Sequence, residues 1–476
     1  MDPIAQPNIL LIMPDQMRGD CLSLAHHPVL LTPNIDAIGG QGAFFTHGYT
    51  TCASCIPARR SLLTGQYPAT NRMVGYQEGV PIKTPTLAEL LRTAGYSTAI
   101  AGRYMHQSPY DAPYGFETRV LGSTYKLDDA YAQMLDAAVP ELGGIRGLGL
   151  SFNGWQARPW PLPDHLHPTH WTVQQARHII ASQAGERPLF LATSFYAPHP
   201  PLCPPAFYME RYLRQALPPA AIGDWAIPPE SEALGAGVDA HHVHLFGEAL
   251  RSAQAGYFGL INHIDDQLYW LLQEFKTRSR EMGKPWIIIF TSDHGEMLGD
   301  HYFYRKCEPY EGASHIPFLM QASAEMGFVR GLVCDRPVCL EDLMPTLLAM
   351  SGQAIPDGVD GENLLPVLCG EADVSRPWLH GEHAPCYGED QAYHFLTDGQ
   401  RKYIWRPLDG SEQFFDLETD PRELRDLAAD REVTGALAAW RQRLVDHLQD
   451  RPEGFSDGDR LIPGRSYTAW IGVSHA

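Results

Sequence analysis

The stretch Thr50-Thr51-Cys52-Ala53-Ser54-Cys55-Ile56-Pro57-Ala58-Arg59-Arg60-Ser61-Leu62-Leu63-Thr64-Gly65-Gln66-Tyr67-Pro68 decides how the chain is read. It holds a C-x-P-x-R pattern at Cys55, Pro57 and Arg59 and continues into Leu62-Leu63-Thr64-Gly65. Pro57 suits a first helical position and Gly65 can end the helix, so a loop runs here into a short helix. Cys55 then lies at a helix N-terminus, where unpaired backbone N–H groups favour negative charge. Arg59 follows one turn later on the same face, which puts its guanidinium near the sulfur. A nucleophile in an anion-binding nest is the functional reading. The competing one makes Cys52-x-x-Cys55 a redox pair or half of a zinc site. A redox pair should follow a strand of a thioredoxin-like unit, and a zinc site needs a second ligand pair. The other seven cysteines, at 21, 203, 307, 334, 339, 369 and 386, are scattered singly.

Extended to eleven residues ending in Leu-Thr-Gly, the pattern becomes specific, and it resembles the signature of the sulfatase family. The resemblance implies that Cys55 is oxidised after synthesis to formylglycine, whose hydrated aldehyde is the nucleophile. It therefore implies a formylglycine-generating enzyme as a partner. It also implies an α/β fold like that of alkaline phosphatase, in which a large, mostly parallel sheet is flanked by helices. A small C-terminal subdomain with an antiparallel sheet and a helix should follow.

Composition sets the outer bounds. The chain of 476 residues is 44% hydrophobic and 19% charged, as expected of one large globular domain with a smaller one. Its net charge of −20 argues against nucleic acid as a partner, and no Lys/Arg run appears. That charge would also repel an anionic substrate, so attraction must come from local cations and a metal. No apolar run approaches the roughly 20 residues of a membrane span. Met1 to Pro7 has neither the basic region nor the apolar core of a secretory signal. Nine cysteines without a framework fit a reducing compartment, and the expected location is the cytoplasm.

Along the chain, Asn8 to Met13 is a short, continuous apolar run, the mark of a buried parallel strand. It delivers Asp15 and Gln16, hard oxygen ligands for a divalent cation, to the carboxyl end of the sheet where ligands collect. Sulfatases place their first metal carboxylates here; many have Asp-Asp where this chain has Asp15-Gln16. Thr84 to Ala94 reads as an amphipathic helix and Ser97 to Ala101 as the next strand, leading to Gly102-Arg103-Tyr104-Met105-His106. Many family members carry Gly-Lys-x-His at this point. Here Arg103 replaces the lysine and His106 comes one position late; both are expected to bind substrate, with Arg103 able to clamp an oxyanion bidentately. Residues 107 to 168, rich in Gly, Pro, Trp and Tyr, read as loops around the pocket. A helix over Thr169 to Gln183 and a strand over Pro188 to Phe195 precede Tyr196-Ala197-Pro198-His199-Pro200-Pro201. A histidine held between prolines suits an acid that must reach one oxygen, and the family resemblance gives His199 that role toward the leaving group.

A long helix from about Leu245 to Arg278 leads to the strand Trp286 to Phe290 and then to Thr291-Ser292-Asp293-His294-Gly295-Glu296. Asp293 and His294 complete, with Asp15 and Gln16, an O,O,O,N set around one cation. Calcium is the ion expected, with manganese or magnesium as alternatives, and Cys55 in its modified form is expected to reach it. Lys306 falls where the family has its second sulfate-binding lysine. His241, His242 and His244 lack the spacing of a tetrahedral site. The catalytic domain is expected to span residues 1–370. Residues 371–476 should contain antiparallel strands near 393–396, 402–406 and 413–417, a helix near 432–448, and a tail over the body or a neighbouring subunit of a homo-oligomer.

These residues imply a sulfuric ester hydrolase acting on a small-molecule sulfate monoester. The alternative within the superfamily is a phosphonate monoester hydrolase or phosphodiesterase, because such enzymes share the Asp-Gln and Asp-His pairs.

Overall fold

The computed structural model describes residues 6–123, 126–229 and 237–472. The N-terminal reading over Met1 to Ala5 and the last residues of the tail, 473–476, lie outside them. Two larger sheets and a two-stranded parallel pair, Gly48–Tyr49 with Val338–Cys339, organise the chain. Its strands in order are β1 Asn8–Asp15, β2 Ala43–Phe45, β3 Gly48–Tyr49, β4 Ser97–Gly102, β5 Thr118–Leu121, β6 Leu189–Pro198, β7 Trp286–Thr291, β8 Phe318–Ala322, β9 Leu332–Cys334 and β10 Val338–Cys339. They continue with β11 Leu379–His383, β12 Tyr393–Thr397, β13 Arg401–Trp405 and β14 Glu412–Asp416.

Eight of these form the large sheet, in the order β5-β4-β6-β1-β7-β8-β2-β9. Pairing is parallel from β5 through β7 and antiparallel only where β8 meets β7 and β2. The runs in β1 and β7 are apolar without a break, and β6 is interrupted only by the buried Thr193 and Ser194, because both faces of the sheet are covered. Leu10 and Ile12 point into one core with Phe290, Leu191 and the helices Gly247–Glu281 and Pro168–Ala181. Ile9, Leu11 and Met13 point into the other with Ala58, Leu62, Leu87 and Leu343 from three further helices. β1, β6 and β7 are neighbours, so Asp15, the turn at His199, and Asp293 all emerge at one edge of the sheet.

Order β11-β12-β13-β14 makes the second, antiparallel sheet. One of its faces packs on the helix Thr434–His447 through Leu396, Tyr403, Trp405, Leu437 and Trp440. The other presses Tyr393, Phe395, Ile404 and Phe415 against Ala53, Met297 and Tyr310. The second sheet thus lies directly on the loop that carries Cys55.

Differences from expectation have local causes. β11 was not anticipated, because His380-Gly381-Glu382-His383 breaks hydrophobic alternation; Gly381 is there because a Cβ would lie 2.1 Å from the Phe395 ring. Residues 107–168 contain the four-residue strand β5 and a helix, Ala130–Ala138, besides loops. β5 is a short, largely exposed edge strand and so shows little periodicity. A 3₁₀ turn, Leu340–Asp342, leads directly into the helix Leu343–Met350.

Gly102 turns the chain out of β4 toward Arg103 with φ of +93°, and a Cβ there would sit 2.1 Å from the Ser194 carbonyl oxygen. Both the backbone angle and the close approach require glycine. Gly102→Ala should cost about 2 kcal/mol or more in a urea melt and displace Arg103. A full-strength fold with unchanged ligand binding would contradict this account of the β4 exit.

Candidate active site

The helix Cys55–Thr64 begins at Cys55, with Ser54 as its N-cap and Gly65 ending it in the left-handed conformation at φ of +66°. Cys55 is 2% exposed. Its sulfur lies 3.2 Å from His294 Nε2, 3.4 Å from Lys306 Nζ and 3.9 Å from Asp15 Oδ1. Burial pushes the thiol pKa up, but the nearby charges of Lys306, His294 and Arg103 outweigh it and hold the group well below its ordinary value.

Arg59, one turn along and fully buried, is aimed at the carboxylates rather than at the sulfur. Its Nε donates to Asp293 Oδ2 at 2.8 Å and its Nη2 to Asp15 Oδ2 at 2.9 Å. Nη1 donates to the Tyr104 carbonyl and the Ser194 hydroxyl. Helical spacing put Arg59 on the correct face, but the depth of β1 and β7 beneath the helix draws the guanidinium past Cys55. Arg103 also pairs with Asp15, lies 5.0 Å from the Tyr196 ring, and contacts His106 Nδ1 through Nη2 at 3.1 Å. His106 sits at φ of +55° and is held well below its ordinary pKa by burial and by the charges of Arg103 and Arg59.

Asp293 Oδ1 accepts from the backbone N–H groups of Gln16 and His294, both at 3.0 Å. His294 donates Nδ1–H to the Gly295 carbonyl at 2.9 Å, which directs Nε2 at Cys55. Burial lowers its pKa, but Asp293 and Cys55 raise it by more, so the ring is pushed above its ordinary value. Lys306 Nζ donates to Gln16 Oε1 at 2.8 Å. The Gln16 amide nitrogen donates in turn to Glu296. His199 is held by a bond from Nδ1 to the Pro200 carbonyl at 2.9 Å and by its backbone N–H to the Asp15 carbonyl. Burial, with Lys306 and Arg103 nearby, keeps its ring well below the ordinary pKa.

Ligand atoms of Asp15, Cys55, Asp293 and His294 all lie within 4.8 Å of one another. Two carboxylates, an imidazole and the side chain at position 55 are a donor set that fits one hard divalent cation. Gln16 stands beside this set, its oxygen turned to Lys306. His241 lies elsewhere, against Glu308 and Gln391.

Two contributors were not assigned from the sequence. Glu296 orients Gln16 and also accepts from the backbone of Leu298 and Arg305; its place three residues after Asp293 was the available signal. His383, from β11, meets the N-cap Ser54 hydroxyl at 2.8 Å. Only the unforeseen packing of the second sheet brings it there. Insert residues do flank the site: Tyr110 and Lys126 line a small cavity with His106, and Ile145, Leu148 and Trp160 line another with His199.

A buried cysteine at a helix N-terminus, ringed by cations and two paired carboxylates beyond a parallel sheet, is the candidate site of a chain in the alkaline phosphatase superfamily. The sulfatase family model matches residues 7–352, and the chain belongs to that family. It is 35% identical to an arylsulfatase of Clostridium perfringens, over 96% of this chain and 98% of that protein. It is 29% identical to a choline-sulfatase of Rhizobium meliloti, over 89% and 82%. The solved structure of a phosphonate monoester hydrolase from Agrobacterium radiobacter aligns with a TM-score of 0.79 at 25% identity, covering 93% of this chain and 95% of that one. Among the described residues no helix is long and apolar enough to cross a membrane.

Removing the Arg59 bridge leaves Asp293 buried without that partner. Arg59→Ala should lower unfolding stability by about 3–5 kcal/mol. Arg59→Lys should recover only part of this, since an ammonium cannot fork to two carboxylates. An alanine variant within about 1 kcal/mol of wild type in urea would remove the bridge from this account.

Glu341 accepts from the Thr51 hydroxyl in the Cys55 loop, and burial pushes it up to about 7 from 4.5. Between these values the folded protein keeps a proton that the unfolded chain has shed. Stability should therefore fall as pH rises from about 4.5 to about 7, by about 3 kcal/mol from this group, and not change further above. Glu341→Gln cannot titrate, so its urea midpoint should fall less over that window; parallel curves would contradict the assignment.

Proposed function

We propose that this protein hydrolyses a sulfate monoester to an alcohol and sulfate, with residue 55 as nucleophile after conversion of Cys55 to formylglycine by a formylglycine-generating enzyme. The observation that carries the reading is the convergence on Cys55 of Lys306, His294 and Asp15, with Arg59 joining Asp15 to Asp293 behind it. Formylglycine supplies at this position a hydrated aldehyde, an oxygen nucleophile that can later release the sulfuryl group without water attacking sulfur. A divalent cation, calcium by preference, would be held by Asp15, Asp293, His294 and residue 55, with Gln16 adjoining; when bound it polarises sulfuryl oxygens and favours the ionised nucleophile.

The chain's own residues do the rest. Lys306 and Arg103 place positive charge where a tetrahedral oxyanion would lie, in a buried pocket where such charge is worth far more than in water. Arg59 acts as a positioning residue, because all three of its nitrogens are engaged by protein acceptors. Asp293 accepts the proton of the nucleophile's hydroxyl. His199 has its Nδ1–H committed to Pro200, which leaves Nε2 to carry a proton to the leaving oxygen. Burial, with Lys306 and Arg103 nearby, holds that ring well below its ordinary pKa, and an anionic substrate beside it would raise the pKa again. His106, paired with Arg103, borders the substrate cavity. The nine free thiols support a reducing, cytoplasmic setting.

A second reading is favoured by one observation, the extended likeness to a phosphonate monoester hydrolase. Sulfate monoesters, phosphonate monoesters and phosphodiesters each carry one negative charge, and the same cation cluster suits all three. Comparing kcat/KM for an aryl sulfate, a phenylphosphonate monoester and a phosphodiester on one modified preparation decides between them. The sulfate should lead; a hundredfold preference for either phosphorus ester, about 2.7 kcal/mol, would reverse the order.

Cys55→Ala should abolish turnover with the fold retained by circular dichroism, and intact mass of the wild-type Cys55 peptide should show sulfur exchanged for oxygen. Near wild-type activity in the alanine variant would refute the nucleophile. Chelation should suppress activity and lower the thermal midpoint, both restored by added calcium or manganese. Asp293→Asn should show no such metal-dependent midpoint, and an unchanged response there would move the cation elsewhere.

A further inference from the structure

Cys307 and Cys386 are far apart in sequence but their sulfurs lie 3.1 Å apart, both as free thiols. Cys307 immediately follows Lys306, and its backbone N–H donates to the Ala53 carbonyl in the Cys55 loop. Cys386 lies three residues beyond β11, on the second sheet's side of the contact. The pair therefore joins the segment holding Lys306 to the structure that covers the nucleophile loop. His383 completes a cluster of potential metal ligands with these two cysteines, and two observations decide against a metal there. The His383 Nδ1–H donates to the Ala384 carbonyl and Nε2 accepts from the Ser54 hydroxyl, so neither ring nitrogen has a lone pair to spare; burial pushes its pKa down to about 4, which keeps the ring neutral. The sulfurs are also closer than the roughly 3.8 Å that two thiolates on a tetrahedral zinc would keep.

We propose that Cys307 and Cys386 form a reversible disulfide that switches the enzyme off by drawing the Lys306 segment toward the loop after β11. Bond formation brings the sulfurs from 3.1 Å to about 2.05 Å. That movement is transmitted to the adjacent Lys306, whose ammonium sits 3.4 Å from Cys55. A displacement of about 1 Å at a reacting centre is enough to reduce turnover severely.

The oxidant is a peroxide. Cys386 is half-buried and its neighbour Tyr387 lines a groove of about 960 Å³, whereas Cys307 is 1% exposed. Cys386 is thus the attacking sulfur and Cys307 the resolving one. The hydrogen bond donated by the Cys307 thiol supports this by lowering the Cys386 pKa, while burial pushes Cys307 up. The Cys386 thiolate attacks one peroxide oxygen and the O–O bond breaks, giving a sulfenic acid and hydroxide, which takes up the thiol's proton. The Cys307 sulfur then attacks the sulfenic sulfur, the S–O bond breaks, and water leaves as the S–S bond forms. Two thiols lose two electrons and two protons, and one hydrogen peroxide becomes two waters.

The functional half of this proposal rests on Lys306 serving the site proposed above; the chemical half does not. Enzyme reduced with dithiothreitol and desalted should, on titration with hydrogen peroxide, yield a linked Cys307–Cys386 peptide in a non-reducing digest. Its kcat should fall tenfold or more and return with dithiothreitol, and its thermal midpoint should rise by a few degrees on oxidation. Cys386→Ser, when reduced, should keep kcat/KM within twofold of wild type and show neither the link, the midpoint shift nor the peroxide response; Cys307→Ser should behave likewise. Absence of the link, a Cys52–Cys386 link in its place, or a zinc ion bound per chain and lost in Cys386→Ser would overturn the proposal. A link formed without change in kcat would overturn the switch. A preparation that turns over no ester at all fails the functional reading alone, because the peptide map and midpoint still report the bond.

Discussion

The bridge from Arg59 to Asp15 and Asp293 is the interaction on which the site depends. It joins the helix that begins at Cys55 to the ends of two adjacent strands, β1 and β7, and all three side chains are fully buried. Two buried carboxylates converging here would repel each other strongly; with a planar guanidinium between them each keeps one oxygen on the cation, while the other oxygen of Asp15 faces Cys55 and that of Asp293 accepts from the Gln16 and His294 backbone. Arg103, leaving β4, pairs with Asp15 from another side. A cation-to-carboxylate lattice of this kind sets the helix at one depth over the sheet. The helix depth in turn places Cys55 beneath Lys306 and His294.

The second sheet completes what the first begins. A parallel sheet exposes its ligand-bearing edge, and here β12 to β14 cover part of that edge by packing Phe395 and Tyr393 near Ala53 and Met297. The segment from β7 through Cys307, which carries Lys306, has left-handed backbone at Leu298, His301, Tyr302, Arg305 and Cys307. Five non-glycine residues in that conformation persist only where surrounding structure over-determines them. Glu296, buried in the same loop, supplies part of that determination by accepting the Leu298 and Arg305 backbone N–H groups. The presentation of Lys306 is therefore a property of the contact between the sheets and not of the catalytic sheet alone.

Electrostatically the molecule is divided against itself. A chain of net charge −20 places Arg59, Arg103, Lys306 and a histidine of raised pKa around two carboxylates. Its surface repels anions while its pocket floor attracts them at short range, where burial removes the screening that weakens exposed charges. Tyr110, Lys126, Trp160 and Leu148, from the insert between β4 and β6, line small cavities beside His106 and His199.

What the sequence determined by itself is local. Continuous apolar runs identified β1 and β7, and largely apolar ones the neighbouring β6, because a strand covered on both faces has little polar side to show. The signature through Gly65 located a helix start and end, and strand-end residues such as Asp15 and Asp293 followed from the strands. Periodicity could also say that Arg59 shares a face with Cys55. Only the tertiary structure decided where that guanidinium goes, since its partners lie 44 and 234 residues away and helical geometry carries no information about the depth of a neighbouring sheet. The same holds for β11, whose glycine is explained by a ring on the next strand, and for His383 against Ser54 and Cys386 against Cys307. The last two pairs are made by the second sheet settling on the first, and such docking rests on shape and burial between distant surfaces rather than on any pattern within one segment.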